Sequence, residues 1–127
     1  MWLLSLLLIA CSQISAKKNL ETITEIQLPK GFSVLNEQYQ NNGQDFFIQY
    51  DIKFDRDSTR QMVAQIEASK YYSRQGAQLL YDSVWYTDNR LYRFEAKNET
   101  GDTKYQIVFS PATGVLKYLE YSERMKL

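Results

Sequence analysis

The stretch Phe46-Phe47-Ile48-Gln49-Tyr50-Asp51-Ile52-Lys53-Phe54-Asp55-Arg56-Asp57-Ser58-Thr59 decides how this chain folds. Phe46, Ile48, Tyr50, Ile52 and Phe54 recur at every second position, with Gln49, Asp51 and Lys53 between them. A period of two means a half-buried β-strand. The period then changes. Thr59, Met62, Val63 and Ile66 fall on one side of a helix, while Arg60, Gln61 and Glu67 fall away from it. Asp57-Ser58-Thr59 is the predicted helix start, with Ser58 and Gln61 spaced as a capping box. The helix is expected to fray between Ser73 and Gly76.

Upstream, Leu20 to Leu28 carries apolar residues at 20, 23, 26 and 28, which fits neither period. Pro29-Lys30-Gly31 reads as a turn, Phe32 to Tyr39 as a first strand, and Asn41-Asn42-Gly43 as a second turn. Downstream the chain reads as a meander: strands over Leu79–Tyr86, Leu91–Lys97, the Tyr105, Ile107, Phe109 segment and Val115–Tyr121. The turns between them are Thr87-Asp88-Asn89, Asn98 to Asp102, and Ser110 to Gly114. The expected fold class is α+β, an antiparallel sheet with one helix packed on one face, because that arrangement buries both apolar surfaces. Residues 20–127 form the expected single domain, and a frayed tail is expected from Ser122.

The chain has 127 residues, enough for one domain that buries about two-thirds of its unfolded surface. Fifteen Lys and Arg balance fifteen Asp and Glu, so no excess charge draws the chain to nucleic acid. Histidine is absent and cysteine occurs once. Ser-His-Asp and Cys-His catalysis, histidine-bound zinc, thiolate clusters and an intrachain disulfide are therefore excluded. No cofactor or metal is expected.

Asp55-Arg56-Asp57-Ser58-Thr59 after an apolar strand resembles the first motif of haloacid-dehalogenase-type phosphatases. That chemistry needs a parallel sheet, a later Lys and carboxylates for magnesium, whereas the downstream chain reads as hairpins. The preferred reading is strand end and helix cap. A calcium loop begun at Asp55 would need glycine and glutamate where Arg60 and Ile66 stand. Asn98-Glu99-Thr100 matches a glycosylation acceptor, which matters only on a eukaryotic secretory route. Ten tyrosines raise the aromatic share to 14%. Tyr50, Tyr92 and Tyr105 belong to the apolar faces. Tyr39, Tyr86 and Tyr118 are expected on the opposite faces, as a binding surface of large area and low entropic cost.

Trp2 to Ala10 is apolar except for Ser5, too short to span a membrane and suited to the apolar region of an export signal. Leu8-Ile9-Ala10-Cys11 resembles the lipobox of bacterial lipoproteins. The resemblance implies a signal peptide over residues 1–10, acylation of Cys11, and a lipid-anchored tether over 11–19. Met1-Trp2 lacks the Lys or Arg that usually opens a signal. Two other readings are weighed: secretion or periplasmic release after Ile14-Ser15-Ala16, and a buried N-terminal segment with an inert thiol. Ser12, rather than Asp, after the cysteine favours the outer membrane, with the domain facing the periplasm.

The functional expectation is a non-catalytic binding module of the bacterial envelope. It would be held at the membrane by its lipid and bind another envelope protein through one sheet face or edge. Two alternatives are a periplasmic inhibitor or immunity-type protein and a small-ligand carrier.

Overall fold

A computed structural model describes residues 16–42, 45–76 and 82–122. Helix α1 occupies residues 16–24 and is followed by β1 (Phe32–Asn42) and β2 (Asp45–Phe54). Helix α2 (Arg56–Ala68) leads to β3 (Val84–Asp88), β4 (Leu91–Lys97), β5 (Thr103–Ser110) and β6 (Val115–Ser122). The six strands form one antiparallel sheet in the order β1-β2-β6-β5-β4-β3. The chain thus makes one hairpin, crosses by α2 to the far edge, and returns as a four-stranded meander that closes against β2.

Register places one apolar row across five of the six strands, from β2 to β3: Tyr50, Tyr118, Ile107, Phe94 and Trp85 are successive cross-strand partners. A second row runs Ile52, Leu116, Phe109 and Tyr92. Both belong to one core cluster, which also takes Ala16 and Leu20 from α1 and Met62 and Ile66 from α2. Both helices therefore lie over the same face. The α+β class and antiparallel sheet are as expected, but two helices serve the sheet instead of one.

The second helix explains why Leu20–Leu28 fits no single period. Ala16, Leu20 and Thr24 are buried at i, i+4 and i+8, a helical stripe. Glu25 then takes φ 56° and ends the helix, after which Ile26 and Leu28 are buried alternately in extended chain. The Thr24 hydroxyl donates to the Leu20 carbonyl (2.7 Å), and Leu28 N donates to the Glu21 carboxylate (2.8 Å). These bonds satisfy groups that the turn would otherwise strand. Residues 16–19, which fell in the expected tether, are helical, and Ala16 is fully buried. The expected signal over residues 1–10, Cys11 and residues 123–127 lie outside the described residues.

The start of α2 also differs from expectation. Its cap is Asp55, still extended at φ −69° and ψ 175°, whose Oδ1 accepts from Ser58 N at 2.7 Å. Ser58 is itself buried in the first turn. The capping role falls to Asp55 because it is the last residue carried out by β2. Gly31 docks on it: Asp55 N donates to Gly31 O at 2.8 Å, and a Cβ on Gly31 would stand 2.1 Å from Asp55 Oδ2.

The backbone bond from Ser58 holds the Asp55 carboxyl below its usual range. A depressed folded pKa contributes stability above the ordinary carboxylate pKa and loses it as pH falls through the folded value. Asp55→Ala should therefore lower the melting temperature at pH 7. Asp55→Asn should nearly preserve it, because Asn caps as well as Asp. It should also remove this residue's share of acid sensitivity. Melting curves of both variants across the acid range check all three statements.

Helix α2 stops at Ala68, short of the expected Ser73–Gly76, because the following residues are used elsewhere. Trp85 N donates to Tyr71 O (2.7 Å) and Ser73 N donates to Trp85 O (2.8 Å), so this segment runs along the outer edge of β3. The β3–β4 turn falls on Asn89 and Arg90, with φ 51° and 66°, the geometry of a tight hairpin. At Gly114, φ is 74° and a Cβ would lie 2.7 Å from the Phe54 carbonyl, so the β5–β6 turn packs directly on the end of β2.

Candidate functional site

The two sheet edges are treated differently. The outer edge of β3 is bridged at Trp85 by residues 71–73 through two backbone bonds. Strand β1 pairs with β2 alone, and among the described residues no segment pairs with its outer edge. It is long, at 11 residues, and contains a bulge at Leu35, between Val34 and Asn36. It carries one charge, Glu37, and neither lysine nor proline. Those are residues that usually blunt an edge strand.

Phe32 anchors the start of β1, its ring edge-on to Phe54 with centroids 5.9 Å apart. Beyond that anchor the strand emerges. Among the described residues the large apolar side chains found exposed are Val34 (45%), Leu35 (54%) and Tyr39 (55%), all on β1. The Tyr39 hydroxyl accepts from Asn41 Nδ2 at 3.2 Å on the same face. An unpaired edge with apolar side chains beside it offers main-chain hydrogen bonds to an extended segment and pockets for its side chains.

The three tyrosines singled out from sequence do not form one surface. Tyr39 is exposed on edge strand β1, but its partner Ile48 shares its face with Tyr50 and Ile52, so Tyr39 lies in the phase of the helix-covered face and not on the opposite face where it was expected. Tyr86 lies on β3 at the opposite end of the sheet, on the face away from the helices. It is half-buried and donates to Glu95 Oε1 at 3.3 Å; burial and then the Glu95 charge push its hydroxyl pKa up. Tyr118 is corrected outright, being fully buried in the core row between Tyr50 and Ile107. Strand β6 has apolar residues in both phases, Leu116 and Tyr118 in one and Val115, Leu119 and Tyr121 in the other. Exposed Lys117 marks the phase that faces away from the helices.

Tyr118 has a structural task. Its hydroxyl donates to Glu120 Oε1 at 2.6 Å, and Asn19 Nδ2 donates to the same oxygen at 3.1 Å. Glu120 is only 7% exposed, so this acid ties α1 to the sheet through fully directed bonds. On the other side Tyr92 donates to Glu67 at 2.6 Å and ties down α2. Both hydroxyls are pushed well above the ordinary tyrosine value, by burial first and by the accepting carboxylate second.

A depression of about 370 Å³ on the face away from the helices is lined by Leu91, Val108, Val115 and the Lys117 stem. Among the described residues no three carboxylates or thiols converge on a point that could hold a metal, and no helix is long and apolar enough to cross a membrane. The Val34–Leu35 pair was missed from sequence because the bulge is invisible there. An apolar pair followed by Asn-Glu-Gln, in a strand already suspected, was the available signal. No known protein family, curated protein or solved structure matches this chain.

Proposed function

We propose that the chain is an exported bacterial lipoprotein whose domain is a non-catalytic binding module of the envelope. It takes an extended segment of another protein onto the free edge of β1. The observation that carries this reading is the gathering of the exposed Val34, Leu35 and Tyr39 on an edge strand whose outer side no described residue pairs with. The opposite edge is bridged at Trp85 by residues 71–73, whereas β1 has no such bridge among the described residues, and this favours pairing at β1. The antiparallel sheet and the use of Asp55 as a helix cap give the phosphatase-like motif a structural explanation. Burial of Ala16 in the core supports cleavage before Cys11 over cleavage after Ala16, which would remove a core residue.

Two experiments test the reading. Cys11→Ser should abolish palmitate labelling and membrane fractionation of a chain that otherwise shows both. Equal soluble recovery of both forms, without label, contradicts the anchor. A photoreactive residue at Tyr39 should capture an envelope protein in intact cells, while one at Lys117 should not. Leu35→Lys with Tyr39→Lys should abolish Tyr39-side capture without lowering the melting temperature, since neither side chain is buried. Equal capture from Lys117 contradicts the edge as the docking site.

A further inference from the structure

The run Asn36-Glu37-Gln38-Tyr39-Gln40-Asn41-Asn42 reads nearly the same in both directions about Tyr39. It is also the part of β1 beyond the bulge, in unbroken register with β2 from Asn36↔Asp51 to Asn42↔Asp45. We infer that this edge pairs with the same edge of a second copy, antiparallel and centred on Tyr39, and joins two sheets into one of twelve strands. The inference rests on the reading of β1 as the docking edge and names an occupant for it.

Pairing through a two-fold axis normal to the sheet keeps each face on its own side. Tyr39 then meets Tyr39 of the second copy, Gln38 meets Gln40, and Glu37 meets Asn41. Directly opposed like charges are destabilising in a ladder. In this register the single charge of the run faces an amide that can donate to it, and never itself. The amides are matched in hydrogen-bonding capacity, and the aromatic pair is the favourable kind. The formal net charge of the chain is zero, so long-range repulsion does not oppose association. Among the described residues the far edge of the joined sheet is bridged at Trp85 by residues 71–73, which disfavours growth from β3 and favours an assembly of two copies. A dimer of this kind shields the edge until another extended segment displaces the second copy.

The test is site-resolved thiol crosslinking of the full-length chain in mild detergent, with Cys11→Ser so that each introduced thiol is the only one. Opposed residues bring Cβ atoms to about 4.5–5.5 Å, near disulfide reach. Tyr39→Cys should form a disulfide-linked dimer at least tenfold faster than Lys117→Cys. Gln38→Cys and Gln40→Cys should each crosslink slowly alone and rapidly when mixed. The uncrosslinked protein should sediment at twice the chain mass of 15.0 kDa and return to monomer on Tyr39→Lys. A Tyr39→Cys rate equal to that of Lys117→Cys, a ladder of higher oligomers, or a dimer unaffected by Tyr39→Lys overturns the inference. If crosslinking fails while a photoreactive residue at Tyr39 still captures an envelope protein, the second-copy pairing falls and the edge reading stands. If both fail, both fall.

Discussion

Trp85→Ala should destabilise the domain by about 3–5 kcal/mol, the range for emptying a large aromatic site in a core. Trp85 is fully buried and packs on Phe94 with ring centroids 5.2 Å apart. Its backbone also holds the segment that bridges the β3 edge, through Tyr71 O and Ser73 N. A cavity there both removes apolar contact and loosens the bridge at that edge. Since a domain of this size is stable by only about 5–15 kcal/mol, the variant should lose a large share of its folded population. The indole Nε1 is buried without a hydrogen-bond partner. Trp85→Phe discards that unpaired donor along with some volume, so it should cost clearly less than Trp85→Ala. Urea unfolding of the two variants against the parent makes the comparison. Equal losses would mean that the indole edge is better satisfied than its surroundings indicate.

The second large effect is alkaline unfolding. Tyr50, Tyr92, Tyr105 and Tyr118 lie on the helix-covered face, and burial raises each hydroxyl above the ordinary value of 10.0. A raised folded pKa contributes stability fully below the unfolded pKa and loses it as pH rises above that value. Tyr118 is the most buried of the four and its hydroxyl is pushed up furthest, so it loses the most stability as pH rises above the ordinary tyrosine value. Tyr118→Phe should flatten this slope. At pH 7 the same change removes a donor from the buried Glu120 carboxylate and should lower stability by about 1–3 kcal/mol. Denaturant midpoints measured from pH 7 to 12 separate the effects: the variant starts below the parent and falls less steeply. Parallel curves would contradict the assignment of the slope to Tyr118.

What the sequence made legible was set by how cleanly one period held. Strand β4 was read to the residue, because Tyr92, Phe94 and Ala96 alternate without interruption between two turns. Strand β2 and the apolar stripe of α2 were equally plain. Helix α1 was not, since its stripe of Ala16, Leu20 and Thr24 runs straight into the extended Ile26 and Leu28 and spends its last position on a polar residue. The phase of β6 was ambiguous because apolar residues occupy both of its faces, and that misplaced Tyr118. The candidate site was half legible. Tyr39 could be singled out as an exposed aromatic, but its meaning depends on β1 lying at an edge, and strand order is a property of the crossover made by α2. Nothing local in residues 32–42 reveals that the meander returns to β2 and leaves β1 outermost.

Amide hydrogen exchange along β1 tests the role of this edge most directly. It is read on the chain in envelope membranes beside the Leu35→Lys and Tyr39→Lys double variant. Each strand residue points its N–H to one side, so about half of the amides from residues 36–42 face away from β2. Those amides should be protected in the parent and exchange freely in the double variant, with β4 and β5 unchanged between the two. Outward amides that exchange equally fast in both proteins would show that nothing pairs with β1, and the function proposed for this edge would be wrong.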